Sequence, residues 1–262
     1  RFAFARRLGG ELPNAELPDS SVYDSILVVA EPEPGQPLYL VTLGRGVAHD
    51  FYPPALRGQD AVLIDAGLPR VTLPQAQGAD AGLRVTGEIE IASAGGARAH
   101  LVIAFLGAAG AELREGIEQI PPAERSRVIA ERFAPSMIPG AVADPGATLI
   151  RGLDDWEAPL ELDMTLTSSA LVRGAREGMI LVPLFGSGVE SSYASLPQRT
   201  TTELVGEANV QVDLTVRGPG QPVAPRSVRV EGPAGAYATL ETSAVPGGVH
   251  LVRAVRVPLA AI

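Results

Sequence analysis

The residues of this chain that could carry acid–base chemistry are three histidines, His49, His100 and His250. His49 precedes Asp50 in the one His–acid neighbour pair, but adjacent residues of an extended chain point to opposite faces. His100 and His250 lie in apolar runs, so we expect both on strand faces rather than among metal ligands. His49 is therefore the remaining candidate base.

A hydroxyl group stands at the start of another apolar run. Ser25 follows a Tyr-Asp pair and precedes the Ile-Leu-Val-Val run of residues 26–29. Polar groups at the start of a buried strand are common in hydrolase active sites. However, no base lies at a spacing that the sequence fixes, and Ser187 is not in a Gly-x-Ser-x-Gly elbow. The spacing alone supports no serine triad.

An acidic cluster offers a different chemistry. Asp154, Asp155 and Glu157 flank Trp156, the only tryptophan. Carboxylates are ligands for hard cations, although this run lacks the alternating order and central glycine of an EF-hand loop. We retain the three carboxylates as candidate cation ligands and expect Trp156 to be a core residue.

Composition excludes several classes of function. The absence of cysteine rules out disulfides, zinc–thiolate sites and cysteine nucleophiles within these residues, and the absence of lysine rules out Schiff-base catalysis. The net charge of −9 argues against nucleic acid as a partner. No glycine-rich segment matches a dinucleotide or phosphate loop, and no apolar run approaches the ~20 residues that span a bilayer. We expect no cofactor and no membrane span.

The elements that position these groups are predicted to be mainly strands. Short β-type runs alternate with turns marked by 29 glycines and 23 prolines. One helical section is predicted at 111–133, and a helix end at Arg1–Gly10, where Phe2, Ala5 and Leu8 share a face. The predicted strands are 25–29, 37–43, 60–64, 83–92, 98–106, 147–150, 160–168, 179–183, 198–204, 209–216, 227–230, 236–242 and 249–257.

A polar, proline-containing segment near residues 72–78 divides the chain into two predicted parts. Residues 1–76 are expected to form a small α+β unit from a short helix and antiparallel strands. Residues 77–262 are expected to form a β-sandwich-like domain of antiparallel sheets, since its turns recur every 8–15 residues.

From about Ser20 onward the chain resembles the C-terminal half of bacterial transglutaminase-like proteins, in which a papain-like core precedes a β-rich tail. The family's His-bearing strand corresponds to residues 17–29 and its Asp-bearing strand to 38–42. Residues 53–64 match a proline turn and strand that follow. In the tail, residues 155–162 match the family's Asp-x-x-x-Pro-Leu-x-Leu strand. Residues 251–256 match the family's arginine-bearing strand.

The chain departs from this family at the positions that matter for catalysis. Ser25 falls at or near the family's histidine, Val41 or Thr42 falls at its aspartate, and the cysteine segment is absent. A Cys–His–Asp enzyme needs a thiolate, an imidazole and a carboxylate. The resemblance therefore implies that residues 1–76 are the degenerate remnant of such a core.

The favoured hypothesis is a non-catalytic, pseudoenzyme-like accessory region that serves as a scaffold or as a binding surface for protein or glycan. The resemblance also implies a bacterial, cell-envelope setting. One alternative is part of an enzyme whose cysteine lies upstream, with His49 as its base. A second alternative is a carbohydrate- or cation-binding sandwich that uses Trp156 and the neighbouring carboxylates Asp154, Asp155 and Glu157.

Overall fold

The fold is known for most of the chain from a computed structural model. It describes residues 1–7, 23–42, 53–74, 82–93, 96–138, 140–169, 204–205, 208–219, 225–232, 235–258 and 260–261. His49, Ser187 and the strand predicted at 179–183 lie outside these residues, as does most of the strand predicted at 198–204.

The first five strands form one sheet, which we call the small sheet. They are β1 (Phe2–Ala5), β2 (Ser25–Glu33), β3 (Gln36–Val41), β4 (Asp60–Leu63) and β5 (Arg70–Thr72). Their order is β3-β2-β1-β4-β5, and each neighbouring pair is antiparallel. The predicted pairing of β2 with β3 is confirmed, and β1 is the central strand.

The helix predicted at Arg1–Gly10 is wrong over the described residues, because Phe2–Ala5 is a strand. The segment is short, and its Phe-Ala-Phe-Ala order also fits the two-residue period of a strand. Pairing with β2 on one side and β4 on the other engages the backbone groups of β1 at both edges.

One face of the small sheet packs into a core of its own. Ala3 and Ala5 of β1 are fully buried there, while Phe2 and Phe4 point to the other face. The small side chains of β1 let a short 3-10 turn, Pro54–Leu56, bring Leu56 into this core. The buried members are Ala3, Ala5, Leu27, Val29, Tyr39, Leu56, Ala61 and Leu73.

The remaining strands form mainly one nine-stranded sheet, which we call the large sheet. In chain order, the strands and helices are β6 (Gly82–Ile91), β7 (Ala97–Leu106), α1 (Ala108–Glu118), α2 (Arg125–Met137), β8 (Ala141–Ala143), β9 (Leu149–Arg151), β10 (Leu160–Ser168), β11 (Leu204–Val205), β12 (Ala208–Arg217), β13 (Arg226–Glu231), β14 (Tyr237–Val245), β15 (Gly248–Val257) and β16 (Ala260–Ala261).

The large sheet is a half-barrel in the order β13-β14-β15-β12-β6-β7-β10-β8, with β9 also paired to β10. Its pairs are antiparallel except for β6 with β12, which is parallel. β11 and β16 form a separate two-stranded pair. The predicted hairpin of β6 with β7 and the predicted strand Leu160–Ser168 are both confirmed.

The predicted helical section is present but longer, and prolines divide it into two helices. A 3-10 turn at Pro122–Glu124 separates α1 from α2. α1 packs against β6, β7 and β10, and α2 packs against β8. Phe105 of β7 meets Phe133 of α2 edge to face, with ring centroids 6.0 Å apart.

Alternate residues of the large-sheet strands point at the helices and form a second core. Val85, Leu101, Leu162 and Leu214 are fully or almost fully buried members from four adjacent strands, and Ile117 of α1 packs with them. The mainly β class with antiparallel sheets, as predicted, is confirmed. The small-sheet core ends at Leu73 and the large-sheet core begins at Val85. The division into two domains stays a prediction.

Candidate functional site

Ser25 is the residue that the resemblance places at or near a catalytic histidine. It lies at one end of the small sheet, beside a cavity of about 390 Å³. We call this place the Ser25 corner. Its polar lining is Arg7, Asp24, Ser25 and Thr42. The apolar lining comes from β2, β3, the 3-10 turn and the residue before that turn: Ile26, Val41, Pro53, Ala55 and Leu56.

The Ser25 hydroxyl is buried and held between two charged groups. Its Oγ accepts a hydrogen bond from Arg7 Nε at 2.9 Å and donates one to Asp24 Oδ1 at 3.1 Å. The backbone N–H of Arg7 donates to the same carboxylate oxygen at 3.2 Å. Arg7 and Asp24 therefore fix the orientation of Ser25.

This arrangement does not activate Ser25 as a nucleophile. A guanidinium remains protonated and cannot accept the serine proton, and a carboxylate is a weak base for an alcohol. None of the described residues that line the cavity is a histidine. The corner can hydrogen-bond a polar ligand, but none of the described residues that line it can act as the base that acyl transfer requires.

Thr42, the second position singled out by the resemblance, lies in the same corner. Its Oγ1 donates to the carbonyl oxygen of Ile26 at 3.1 Å, so the hydroxyl ties the end of β3 to β2. The structure thus brings Ser25 and Thr42 together, because β2 begins at Ser25 and the neighbouring strand β3 ends one residue before Thr42. The position of His49 relative to them lies outside the described residues.

The acidic cluster forms a loop before β10. Asp155 Oδ1 accepts hydrogen bonds from the backbone N–H groups of Glu157 at 3.1 Å and Ala158 at 3.3 Å. Asp155 therefore closes a turn of its own loop. Among the described residues, no group of three or more His, Asp or Glu side chains could hold a metal ion. Trp156 is 47% exposed, so its expected place in the core is wrong.

The residue that holds this loop is Arg114 of α1, which the sequence analysis missed. Arg114 is only 3% exposed, and its Nε donates to Gly152 O at 3.0 Å. Its Nη2 donates to the carbonyl oxygens of Asp155, at 3.0 Å, and Ala158. Burial lowers the pKa of Arg114, and the Asp155 charge offsets part of that effect. The sequence feature that could have identified Arg114 is its position three residues before Ile117, on the apolar face of α1.

Both strand histidines are on strand faces, as predicted, and each contacts an aspartate on the neighbouring strand. His100 Nε2 lies 2.8 Å from Asp163 Oδ1, and Arg151 Nη2 lies 2.7 Å from the other oxygen of Asp163. His250 Nε2 lies 2.7 Å from Asp213 Oδ1. These pairs are on the polar face of the large sheet, opposite its core.

The two pairs have the same sequence and the same register. His-Leu-Val occurs at 100–102 on β7 and again at 250–252 on β15. Asp-x-Thr occurs at 163–165 on β10 and at 213–215 on β12. In each pair the histidine is directly opposite the threonine. This local repeat was visible in the sequence, but it has no fixed period and was missed.

The small sheet has a second apolar face, on the side away from its core. Phe4 is opposite Ile26 on β2 and Val62 on β4, and Phe2 is opposite Val28. The next residues along these rows are Leu40, opposite Val28, and Ile64, whose N–H donates to Phe2 O. We call this surface the open face: Phe2, Phe4, Ile26, Val28, Leu40, Val62 and Ile64.

The four largest exposed side chains of the open face lie next to one another. Phe2 is 55% exposed, Phe4 38%, Ile26 50% and Ile64 41%. Since all of them stay accessible in the part of the chain that the structure describes, this sheet has one apolar face that is covered and one that is not.

Comparisons of the chain with protein-family models, with curated proteins and with solved structures found no match.

Proposed function

We propose that this chain is a non-catalytic, protein-binding region that acts through the open face of the small sheet. The observation that carries this proposal is the contiguous exposure of Phe2, Phe4, Ile26 and Ile64. Contiguous apolar patches on a protein surface mark contact sites for other proteins. A sheet with two apolar faces is typical of a middle layer between two others.

A protein is favoured over a glycan because the open face consists of aliphatic and phenylalanine side chains. Sugar recognition needs several hydrogen-bonding groups beside an aromatic platform, whereas a protein core or interface can be filled by apolar side chains alone. None of the described helices is long and apolar enough to cross a bilayer.

The resemblance to bacterial transglutaminase-like proteins supports the non-catalytic part of the proposal. At or near the family's histidine position stands Ser25, whose hydroxyl is engaged by Arg7 and Asp24. A protein-binding role would need only the strands of the former catalytic core and none of its catalytic residues. A cell-envelope setting belongs to the same proposal and rests on the resemblance alone.

Carbene footprinting tests whether the open face binds a protein. We expect Phe2 and Phe4 to be labelled in the dilute purified chain and protected in the cells that produce the protein. Leu149, which is 51% exposed on β9, is the matched control and should be labelled in both samples. Equal labelling of Phe2 and Phe4 in both samples, or equal protection in both, would contradict the proposal.

A second candidate function is catalysis, because the Ser25 corner is an open cavity rather than a filled one. The whole protein would be assayed for acyl transfer from a glutamine peptide to an amine, and for peptide hydrolysis. We expect no turnover. Turnover that Ser25→Ala removes while Ser227→Ala, an exposed control on β13, retains it would establish an enzyme.

A further inference from the structure

We propose that β13, at the edge of the large sheet, accepts an extended segment of another protein as an additional antiparallel strand. β13 (Arg226–Glu231) pairs with β14 on one side, and among the described residues no strand pairs with its other side. We call that unpaired side the outer edge. It belongs to a different sheet from the open face, so this inference goes beyond the proposed function and does not depend on it.

The pairing with β14 determines which backbone groups point to the outer edge. Just after β13, Gly232 N–H donates to Ala236 O at 2.8 Å, and at its start Arg226 N–H donates to Thr242 Oγ1 at 3.1 Å. Because backbone groups point alternately to the two sides of a strand, the even-numbered residues of β13 face β14. The N–H and C=O groups that point outward are those of Ser227, Arg229 and Glu231.

The other described edge strands carry features that discourage further pairing, and β13 does not. β5, β8 and β9 are three residues long, and β11 and β16 are two. β3 contains Pro37, which has no N–H, and its register with β2 is shifted between Ala30 and Glu33. Short strands, prolines and bulges are the usual protection of a sheet edge. β13 has six residues, no proline and an unbroken register with β14.

The charged side chains near the middle of β13 are held by neighbours of their own sheet. Arg229 Nε donates to Glu231 Oε1 at 2.9 Å, and the Arg229 guanidinium lies 4.8 Å from the ring centroid of Tyr237 on β14. The remaining charge, Arg226, is at the first position of the strand. The centre of the outer edge is therefore open to backbone pairing.

The apolar face of the large sheet reaches this edge and stops there. One row of side chains crosses seven adjacent strands, and the exposed fraction is 61% at Val230, 3% at Val255, 4% at Val210 and 0% at Leu160. An added strand would place a side chain beside Val230 and continue the row. Its members are Val230, Ala238, Val255, Val210, Leu83, Phe105 and Leu160.

An extended polypeptide is the ligand that matches this edge. Three N–H and three C=O groups lie in one line, with the residues that carry them about 7 Å apart, and a second strand presents the complementary groups at the same spacing. Sugars and nucleic acids have no such line of alternating donors and acceptors. The partner's side chains beside Val230 would be apolar and the intervening ones polar. Antiparallel pairing is favoured because it is the more stable of the two ladders.

The first experiment titrates the whole chain into a fluorescent peptide, Lys-Val-Thr-Val-Thr-Val-Lys, and follows its anisotropy. In an antiparallel pair with the valines on the Val230 side, the threonine amides face β13. N-methylation of both threonines should weaken binding by about 10-fold or more, because the methyl groups remove two hydrogen bonds to the edge. The peptide N-methylated at its valines is the matched control and should bind like the parent peptide.

The second experiment removes a single backbone donor from the protein. Proline is tolerated on an edge strand where its nitrogen faces away from the sheet, so Arg229→Pro deletes one outward N–H and leaves the pairing with β14 in place. It should weaken peptide binding by about 10-fold. Arg229→Ala loses the same side chain, retains the N–H and should bind nearly as well as the wild type. The methylated peptides keep the test decisive if Arg229→Pro does not fold.

Hydrogen exchange measured by NMR shows whether the edge is free in the dilute chain. The N–H groups of Ser227, Arg229 and Glu231 should exchange faster than those of Val228 and Val230, and the peptide should slow them. Slow exchange in the free monomer would mean that the chain's own residues cover the edge. Slowing that follows protein concentration alone would make the occupant a second copy. Either result, no saturable binding, or equal binding of the two methylated peptides overturns the inference.

Discussion

At the scale of single residues, Gly87 shows how closely the strands of the large sheet approach one another. It lies within β6, opposite Leu101 on β7 and Leu214 on β12. Its φ is +153°, and a Cβ built there would lie 2.0 Å from the carbonyl oxygen of His100. Any side chain at this position must displace the backbone of β7.

We therefore expect Gly87→Ala to lower the free energy of unfolding by about 3 kcal/mol, from backbone strain and overpacking together. Gly116→Ala is the control, because its helical Cβ would meet no atom within 4 Å. That change should raise stability by up to about 1 kcal/mol through helix propensity. Urea denaturation of both variants checks the prediction, and equal effects of the two would refute it.

Tyr39 gives the small sheet a pH dependence at the alkaline end. Burial raises the pKa of its phenol above the ordinary value of 10.0, and the charge of Arg1 offsets part of this shift. The folded state therefore retains the phenolic proton at pH values where the unfolded chain releases it. The resulting stabilisation is fully present below about pH 10 and is lost as the pH rises through the folded-state pKa.

Tyr39→Phe removes this titration. Its stability should fall less steeply than that of the wild type as the pH is raised through 10 and beyond. Denaturant midpoints measured across that range check the difference in slope, whatever the offset between the two proteins at neutral pH. Parallel curves would show that Tyr39 does not contribute.

At the scale of elements, Arg114 couples α1 to the loop that precedes β10. Its guanidinium donates to three backbone carbonyl groups, those of Gly152, Asp155 and Ala158. Buried carbonyl groups that lose their donors cost free energy, and hydrogen bonds from a charged donor are among the stronger ones. The loop that carries Trp156 is thus held by its backbone, which explains how the tryptophan can remain at the surface.

Arg114→Ala should lower the free energy of unfolding by about 3 kcal/mol, because three carbonyl oxygens lose a charged donor in a buried place. Arg132→Ala, at an exposed position on α2, should change it by less than about 0.5 kcal/mol. Chemical denaturation of the two variants compares them directly. A fall of similar size in both would mean that the loop contacts add nothing specific.

Most elements could be predicted from local pattern, because the strands are bounded by glycine and proline and their faces alternate. Leu160–Ser168 was predicted to the residue. Phe2–Ala5 was not, since four residues fit both the helical and the strand period. The His100–Asp163 and His250–Asp213 contacts depend on the register between strands, which the sequence of one strand does not determine.

The Ser25 corner could be predicted in part for a related reason. Ser25 and Thr42 belong to a hairpin with a short turn, so their strands were expected to be neighbours. Arg7 comes to the same place because β1 pairs with β2 across an intervening segment of the chain. That pairing was not predicted, because residues 1–10 were interpreted as the end of a helix.

At the scale of the whole molecule, the two sheets have separate cores. The buried members of the small-sheet core lie between Ala3 and Leu73, and those of the large-sheet core lie between Val85 and Val255. Because no described residue belongs to both clusters, losing one core removes no buried member of the other as the structure describes it. This separation gives the predicted boundary near residues 72–78 a thermodynamic test.

We expect two unfolding transitions. Leu27→Ala should destabilise only the small sheet and Leu162→Ala only the large one, each by about 2–5 kcal/mol for a fully buried leucine. Hydrogen–deuterium exchange, read for each sheet in both variants, assigns the transitions. A single transition that both substitutions shift together would show that the chain unfolds as one cooperative unit.

The parallel ladder between β6 and β12 has a consequence for how the protein is made. It joins Leu83 to Val210, so 127 positions separate residues that are neighbours in the sheet. At about 5–20 residues per second, a ribosome takes roughly 6–25 s to cover that distance. Throughout this interval the edge of β6 that will receive β12 is unpaired, and an unpaired edge can join other chains. A nascent chain of this protein is therefore most exposed to aggregation before β12 is synthesised.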